Sequence, residues 1–170
     1  QIAAAAATFI ETEMMNNDRL LRCHGSDISG FLDDYSFMIQ GYLDLFVADP
    51  KAQWLQAAMA LESVLDRHYK ADNGGYFMAA ADQPALLARD KPRHDGAEPS
   101  GNSIMAINHL RMYTLTDDDA YRKRAVATIE SFSRSSRKRG SPRIASSSVH
   151  GLAGLFGTIL QSRSTCPNGI

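Results

Sequence analysis

The chain repeats itself. Residues 42–61 (YLDLFVADPKAQWLQAAMAL) align with residues 109–128 (HLRMYTLTDDDAYRKRAVAT) at an offset of 67. Leu43 falls on Leu110, Leu45 on Met112 and Phe46 on Tyr113; Trp54 falls on Tyr121, Ala58 on Ala125 and Met59 on Val126. Upstream, Phe37 meets Ile104 and Met38 meets Met105. Identity is low, yet the apolar and aromatic spacing is kept, and so is an acidic turn (ADPK in one copy, TDDD in the other). Each copy reads as helix, short turn, helix. Pro50 suits the start of the second helix of its copy, and Asp117 to Asp119 favour a helix start through the helix dipole. Helical hairpins stack because one alone cannot bury its apolar face.

The two helices of a copy differ. Residues 31–48 are apolar on nearly every face, interrupted mainly by Asp33, Asp34, Gln40 and Asp44. That is the mark of a helix covered on several sides. Residues 52–68 carry Trp54, Leu55, Ala58, Leu61, Val64 and Leu65 on one face, with Gln53, Gln56, Glu62 and Arg67 opposite. Each hairpin therefore has an inner and an outer helix. The N-terminal AAAAATFIETEMM resembles an outer helix of a third copy, followed by a turn and an extended RLLRC. After the second outer helix, Asn73-Gly74-Gly75 demands positive φ and Tyr76-Phe77 favours a short strand near 74–79. The expected fold is all-α: a partial α/α toroid of helical hairpins with a short β excursion.

Polar leaders precede both inner helices: GSDISG before one, HDGAEPSGNS before the other. Both helix starts then lie at the same end of the ring. Ser100 or Asn102 is expected to cap one, and Ser29 the other, with acids near the positive helix ends.

GFLDDYSFMIQGYLDLF, GGYFM and DGAEPSGNSIMAINHLRMY, in that order, resemble the C-terminal toroid region of the spermatogenesis-associated thioredoxin-domain protein family. These are long proteins of animals and bacteria with an N-terminal thioredoxin-like domain, a part not found in these 170 residues. The resemblance covers roughly residues 1–133. It implies the six-hairpin architecture of glycosidases and N-acylglucosamine 2-epimerases, and thus carbohydrate metabolism. The chain holds about two and a half hairpins of the six that such a ring needs. Either it is a piece of a longer protein, or several chains complete the ring. It opens on Gln1, inside an apparent helix, so the natural chain is expected to begin upstream or to have been processed. Residues 1–133 read as the toroid segment and 134–148 (RSSRKRGSPRIASSS) as a basic Ser/Arg-rich linker. A terminal helix and tail complete the chain at 149–170. The basic run reads as a solvated tail.

The rim residues carry the candidate chemistry. Packed helices lie ~8–10 Å apart, and the carboxyl groups of inverting glycosidases ~6.5–9.5 Å apart. Asp34 and Glu98, from two leaders at one rim, could therefore flank a sugar as general acid and base. Imidazole moves protons next to carbonyls near neutral pH, and His94 lies in the leader. These three are the catalytic candidates. Asp33, Tyr35, Tyr76, Asp95 and Asn102 are the candidate substrate-binding residues, the tyrosines offering an apolar face with a polar tip. The bland alternative is that the acids only cap helices. His109, mid-helix, reads as a core residue, and His68 as a C-terminal helix cation.

No metal-ligand spacing, phosphate loop, dinucleotide fingerprint or nucleophile elbow occurs, so no metal and no cofactor are expected. A net charge of -1 gives no reason to expect nucleic acid or a membrane surface as partner, and no apolar run reaches the ~18 residues of a membrane span. The expected partners are a sugar ligand and either further copies of the chain or its missing remainder. Cys23 and Cys166 form no pair motif, which fits a cytoplasmic protein. A non-enzymatic scaffold, exposing apolar edges where hairpins are missing, is the competing reading.

Overall fold

The structure, a computed structural model, describes residues 2–83, 89–92 and 95–137. In chain order it has α1 (Ile2–Glu13), β1 (Met15–Asn16), β2 (Arg19–Leu20), α2 (Leu32–Ala48), α3 (Ala52–His68), α4 (Gly101–Thr116) and α5 (Asp119–Arg137). The 67-residue repeat survives as two hairpins, α2–α3 and α4–α5, joined by packing of α2 against α4. α1 packs on α2 as an outer helix of a preceding hairpin would. The fold is therefore mostly helical, a partial α/α toroid. α5 runs past Ser133 to Arg137. The rest of the expected linker, 138–148, and the helix and tail over 149–170 lie outside the described residues.

The sequence pattern explains the layering. On α2, Leu32, Tyr35, Ile39 and Leu43 are fully buried; α3 supplies Trp54, Ala58, Leu61 and Leu65, and α4 adds Met105 and Met112. The repeat extends to ring geometry. Tyr42 stacks on Trp54 with centroids 6.2 Å apart, and the equivalent His109 stacks on Tyr121 at the same 6.2 Å. Each inner-helix ring also faces an acid of the preceding outer helix. Tyr42 faces Glu11, and burial together with that carboxylate pushes its hydroxyl pKa well up; His109 Nε2 lies 3.1 Å from Glu62 Oε1. Asp44 and Arg111, one repeat apart, form an ion pair at 2.7 Å between the inner helices.

Three local expectations are corrected. Ser29 does not cap α2; it bridges to Leu21, and the N-cap is Phe31, which makes no side-chain cap bond. Asp34 serves instead, its Oδ2 accepting the Phe31 N–H at 2.8 Å. Pro50 precedes the cap of α3, Lys51, rather than opening the helix. The β excursion near 74–79 is a single antiparallel bridge between Lys70 and Tyr76, while the two-residue ladder lies at β1–β2. Tyr76 forms no longer ladder because a side chain, Asn102, takes its backbone bonds. Gly74 (φ 88) and Gly75 (φ 71) do adopt positive φ, and a Cβ on Gly74 would collide with the Ala127 carbonyl of α5.

Candidate functional site

Both inner helices start at one rim. Asp33, in the first turn of α2, accepts the Gly101 N–H at 2.8 Å with Oδ1, so an acid of one hairpin caps the inner helix of the other. The approach is close: a Cβ on Gly101 would clash with Asp33 Oδ1 and Leu32. Burial pushes the Asp33 carboxyl above its ordinary value of 3.8; the Gly101 bond pulls it down, and Asp34 and, more weakly, Glu98 push it up. Glu98 is thus near enough for Asp33 to feel its charge.

The other acids divide their work. Asp34 holds the Phe31 N–H and faces Arg22, whose Nη1 is 3.5 Å away and whose guanidinium lies 4.7 Å over the Phe31 ring. Asp95 Oδ1 accepts from the Ser100 N–H at 3.0 Å and the Ser103 hydroxyl at 2.7 Å. Ser100 is the N-cap of α4, its Oγ accepting the Ser103 N–H. Glu98 is exposed, and its carbonyl receives the Gly96 N–H at 3.0 Å. The rim therefore unites Asp33, Asp34, Asp95 and Glu98 around two helix N-termini. His94 lies outside the described residues.

Tyr35, Tyr76 and Asn102 stand differently from the expectation. All three are buried, at 0%, 2% and 0% exposure, and brace the rim from beneath. The Tyr35 hydroxyl accepts the Leu20 N–H at 2.9 Å, and its neighbour Tyr69 donates to the Gly30 carbonyl at 2.6 Å. Asn102 Oδ1 accepts the Tyr76 N–H at 2.8 Å, and its Nδ2 donates to the Tyr76 and Pro92 carbonyls at 2.9 and 3.1 Å. The reason is helical geometry: position 35 and position 102 lie on the buried flank, whereas 33 and 34 lie at the open end.

Sequence reasoning missed Arg22, Ser103 and Gly101. Gly101 had a signal: the repeat sets it level with Asp34, so a side chain present in one copy is absent in the other. Also missed was a buried polar network. Glu62, with Asp66, meets Arg124 of α5, whose Nε is 3.6 Å from Glu62 Oε1 and whose Nη2 is 3.3 Å from Asp66 Oδ2. His109 joins it through Nε2, while its Nδ1 is buried with no hydrogen-bond partner among the described residues. Among those residues no group of three His, Cys, Asp or Glu is placed to hold a metal ion. No helix among them is long and apolar enough to cross a membrane.

Comparison with known proteins shows what the chain is similar to. No protein-family model matches the chain. Spermatogenesis-associated protein 20 of Rattus norvegicus is 38% identical over 111 residues, covering 64% of this chain and 14% of that protein; the Homo sapiens protein gives the same figures. An uncharacterised protein of Caenorhabditis elegans is 35% identical over 99 residues, 58% of this chain and 13% of its own length. The chain thus spans 14% or less of the length of these curated relatives. Among solved structures, a GH76 α-mannanase of Bacteroides thetaiotaomicron superimposes with a TM-score of 0.58 at 16% identity, over 75% of this chain and 36% of that one. At that identity the likeness concerns the fold. The chain is similar to one segment of spermatogenesis-associated protein 20, and its described hairpins form part of an α/α toroid.

Proposed function

We propose that the rim is part of a carbohydrate-binding or carbohydrate-processing cleft of glycosidase or epimerase type, completed by further hairpins from the rest of a longer chain or from other copies. The observation that carries the reading is the Asp33–Gly101 hydrogen bond, which sets the acid-bearing starts of two inner helices side by side. A toroid mannanase with the same fold supports it. In this reading Glu98, the exposed acid, and Asp34, anchored by its own helix start, work from opposite sides of a sugar as acid and base, with His94 moving a proton next to a carbonyl. Asp33 and Asp95 line the rim. Tyr35, Tyr76 and Asn102 hold it in shape. Cys23, an exposed free thiol, suits work in the cytoplasm.

A panel of monosaccharides and disaccharides, mannose and N-acetylglucosamine among them, tests the reading by thermal shift, because selective binding raises the melting temperature by mass action. Glu98→Gln is expected to lower that shift while leaving the ligand-free melting temperature within a degree or so. A panel without any shift, repeated on the longest available form of the chain, refutes it.

A second reading has its own support. Ile2 (89%), Phe9 (47%), Phe37 (40%) and Val47 (69%) are exposed large apolar residues, as an incomplete ring acting as a scaffold would show. Light scattering separates the two: a monomer that binds no sugar favours the scaffold.

A further inference from the structure

We propose that Tyr76 is a positioning residue, coupling the charged network of the outer helices to the leader that carries the rim acids. The inference rests on the rim reading above. Tyr76 is 2% exposed, buried beneath the rim rather than open to it. Its backbone is held on both sides by Asn102, whose Oδ1 accepts the Tyr76 N–H at 2.8 Å and whose Nδ2 donates to the Tyr76 carbonyl at 2.9 Å. The same Nδ2 donates to the Pro92 carbonyl at 3.1 Å, so one buried amide ties the Tyr76 segment to Pro92, three residues ahead of Asp95 in the leader.

The side chain of Tyr76 reaches the other way. Its hydroxyl lies 3.3 Å from His109 Nε2 and 3.5 Å from Asp66 Oδ1. Glu62 Oε1, 3.1 Å from Nε2, only accepts as a carboxylate, so Nε2 carries the proton and donates to it. The Tyr76 hydroxyl is then left to donate to Asp66. Asp66 is tied to Lys70 Nζ at 3.0 Å and to Arg124 Nη2 at 3.3 Å, and Arg124 returns to Glu62. The circuit joins α3, α4 and α5, and Tyr76 is where it meets Asn102 and, through it, the segment that enters the leader. Buried networks of this kind hold their members in one arrangement while every member stays bonded.

Tyr76→Phe removes the hydroxyl and keeps the ring. Hydrogen–deuterium exchange of the whole chain is expected to show amides in 75–79 and 89–92 exchanging roughly ten-fold faster, the scale of one buried hydrogen bond. Amides in the middle of α2 and α3 are expected to keep their wild-type rates. Asn102→Ala, cutting the backbone grip, is expected to speed the same segments. If Tyr76→Phe leaves 75–79 and 89–92 at their wild-type rates, or speeds all helices equally, the coupling is wrong. Binding of mannobiose and N-acetylglucosamine, followed by calorimetry, adds a second arm. Affinity several-fold weaker in Tyr76→Phe at an unchanged melting temperature supports positioning, and equal affinity overturns it. Absence of binding to the wild type would sink the carbohydrate reading, and the exchange pattern would still decide the coupling.

Discussion

Asp33 is where a single residue does most for the rim. Through it a side chain of one hairpin satisfies the helix start of the other. Burial, opposed by the Gly101 bond and helped by Asp34, raises its carboxyl above 3.8, so the folded state holds that proton more tightly than the unfolded chain. Its contribution to stability is therefore smallest where both states are ionised. It grows as pH falls through the folded value and is complete below 3.8. Asp66 behaves oppositely: burial would raise it, but Lys70 and Arg124 win and lower it, so its contribution is lost as pH falls through its folded value. Urea midpoints of wild type and Asp33→Asn at pH 7 and pH 4 separate the two, since both proteins share Asp66. Wild type is expected to gain on Asp33→Asn at the lower pH; a gap that stays constant would contradict the assignment. Capping supplies a second contrast. Ser100→Ala removes an N-cap oxygen and is expected to cost about 1 kcal/mol. Ser29→Ala removes none and is expected to stay within ~0.5 kcal/mol, as surface changes do. Equal losses in chemical denaturation would restore Ser29 as a cap.

At the level of helices, the repeat made most of the architecture legible. Residues 52–68 read as the outer helix, and α3 spans Ala52–His68, because the apolar face and the acidic turn mark both ends. The inner helix read from 31 and starts at Leu32, with Phe31 as its cap. Identity at equivalent positions mattered less than ring shape: Tyr42 on Trp54 and His109 on Tyr121 stack alike although no residue is shared. The parts that sequence did not yield are those set by distant partners. Nothing local to Tyr76 announces that Asn102, 26 positions away, will take its backbone bonds in place of a strand. The Asp34 reach to Phe31 is different in kind: it is local, three residues back, and turned on the helix starting at Leu32 with Phe31 rather than Ser29 as its cap. Tyr35, Tyr76 and Asn102 read as ligand contacts because their type and place in the leaders fit, whereas their orientation depended on which flank the core would claim. The rim acids were legible because two copies of one pattern predict one shared end.

Across the whole molecule, the two hairpins are expected to unfold as one unit. They share the Asp33–Gly101 bond, the Asn108 Nδ2 bond to the Ser36 carbonyl at 2.8 Å, and the Asp44–Arg111 pair. The single tryptophan, Trp54, reports on the first hairpin only, while far-UV circular dichroism reports on both. Coincident urea transitions by the two probes are the expected outcome. Fluorescence melting ahead of dichroism would mean that the hairpins come apart separately, and the shared rim with them. The clamp on residues 76–78 has one more effect. Tyr76 and Met78 each have both N–H and carbonyl engaged, by Asn102 in the first case and by Asp90 and Leu32 in the second, and the Phe77 N–H is given to Tyr69. An extended run of that composition is normally an invitation for a foreign strand to dock along it. Here most of those bonds are already made inside the molecule, which leaves little of the segment for a foreign strand to pair with.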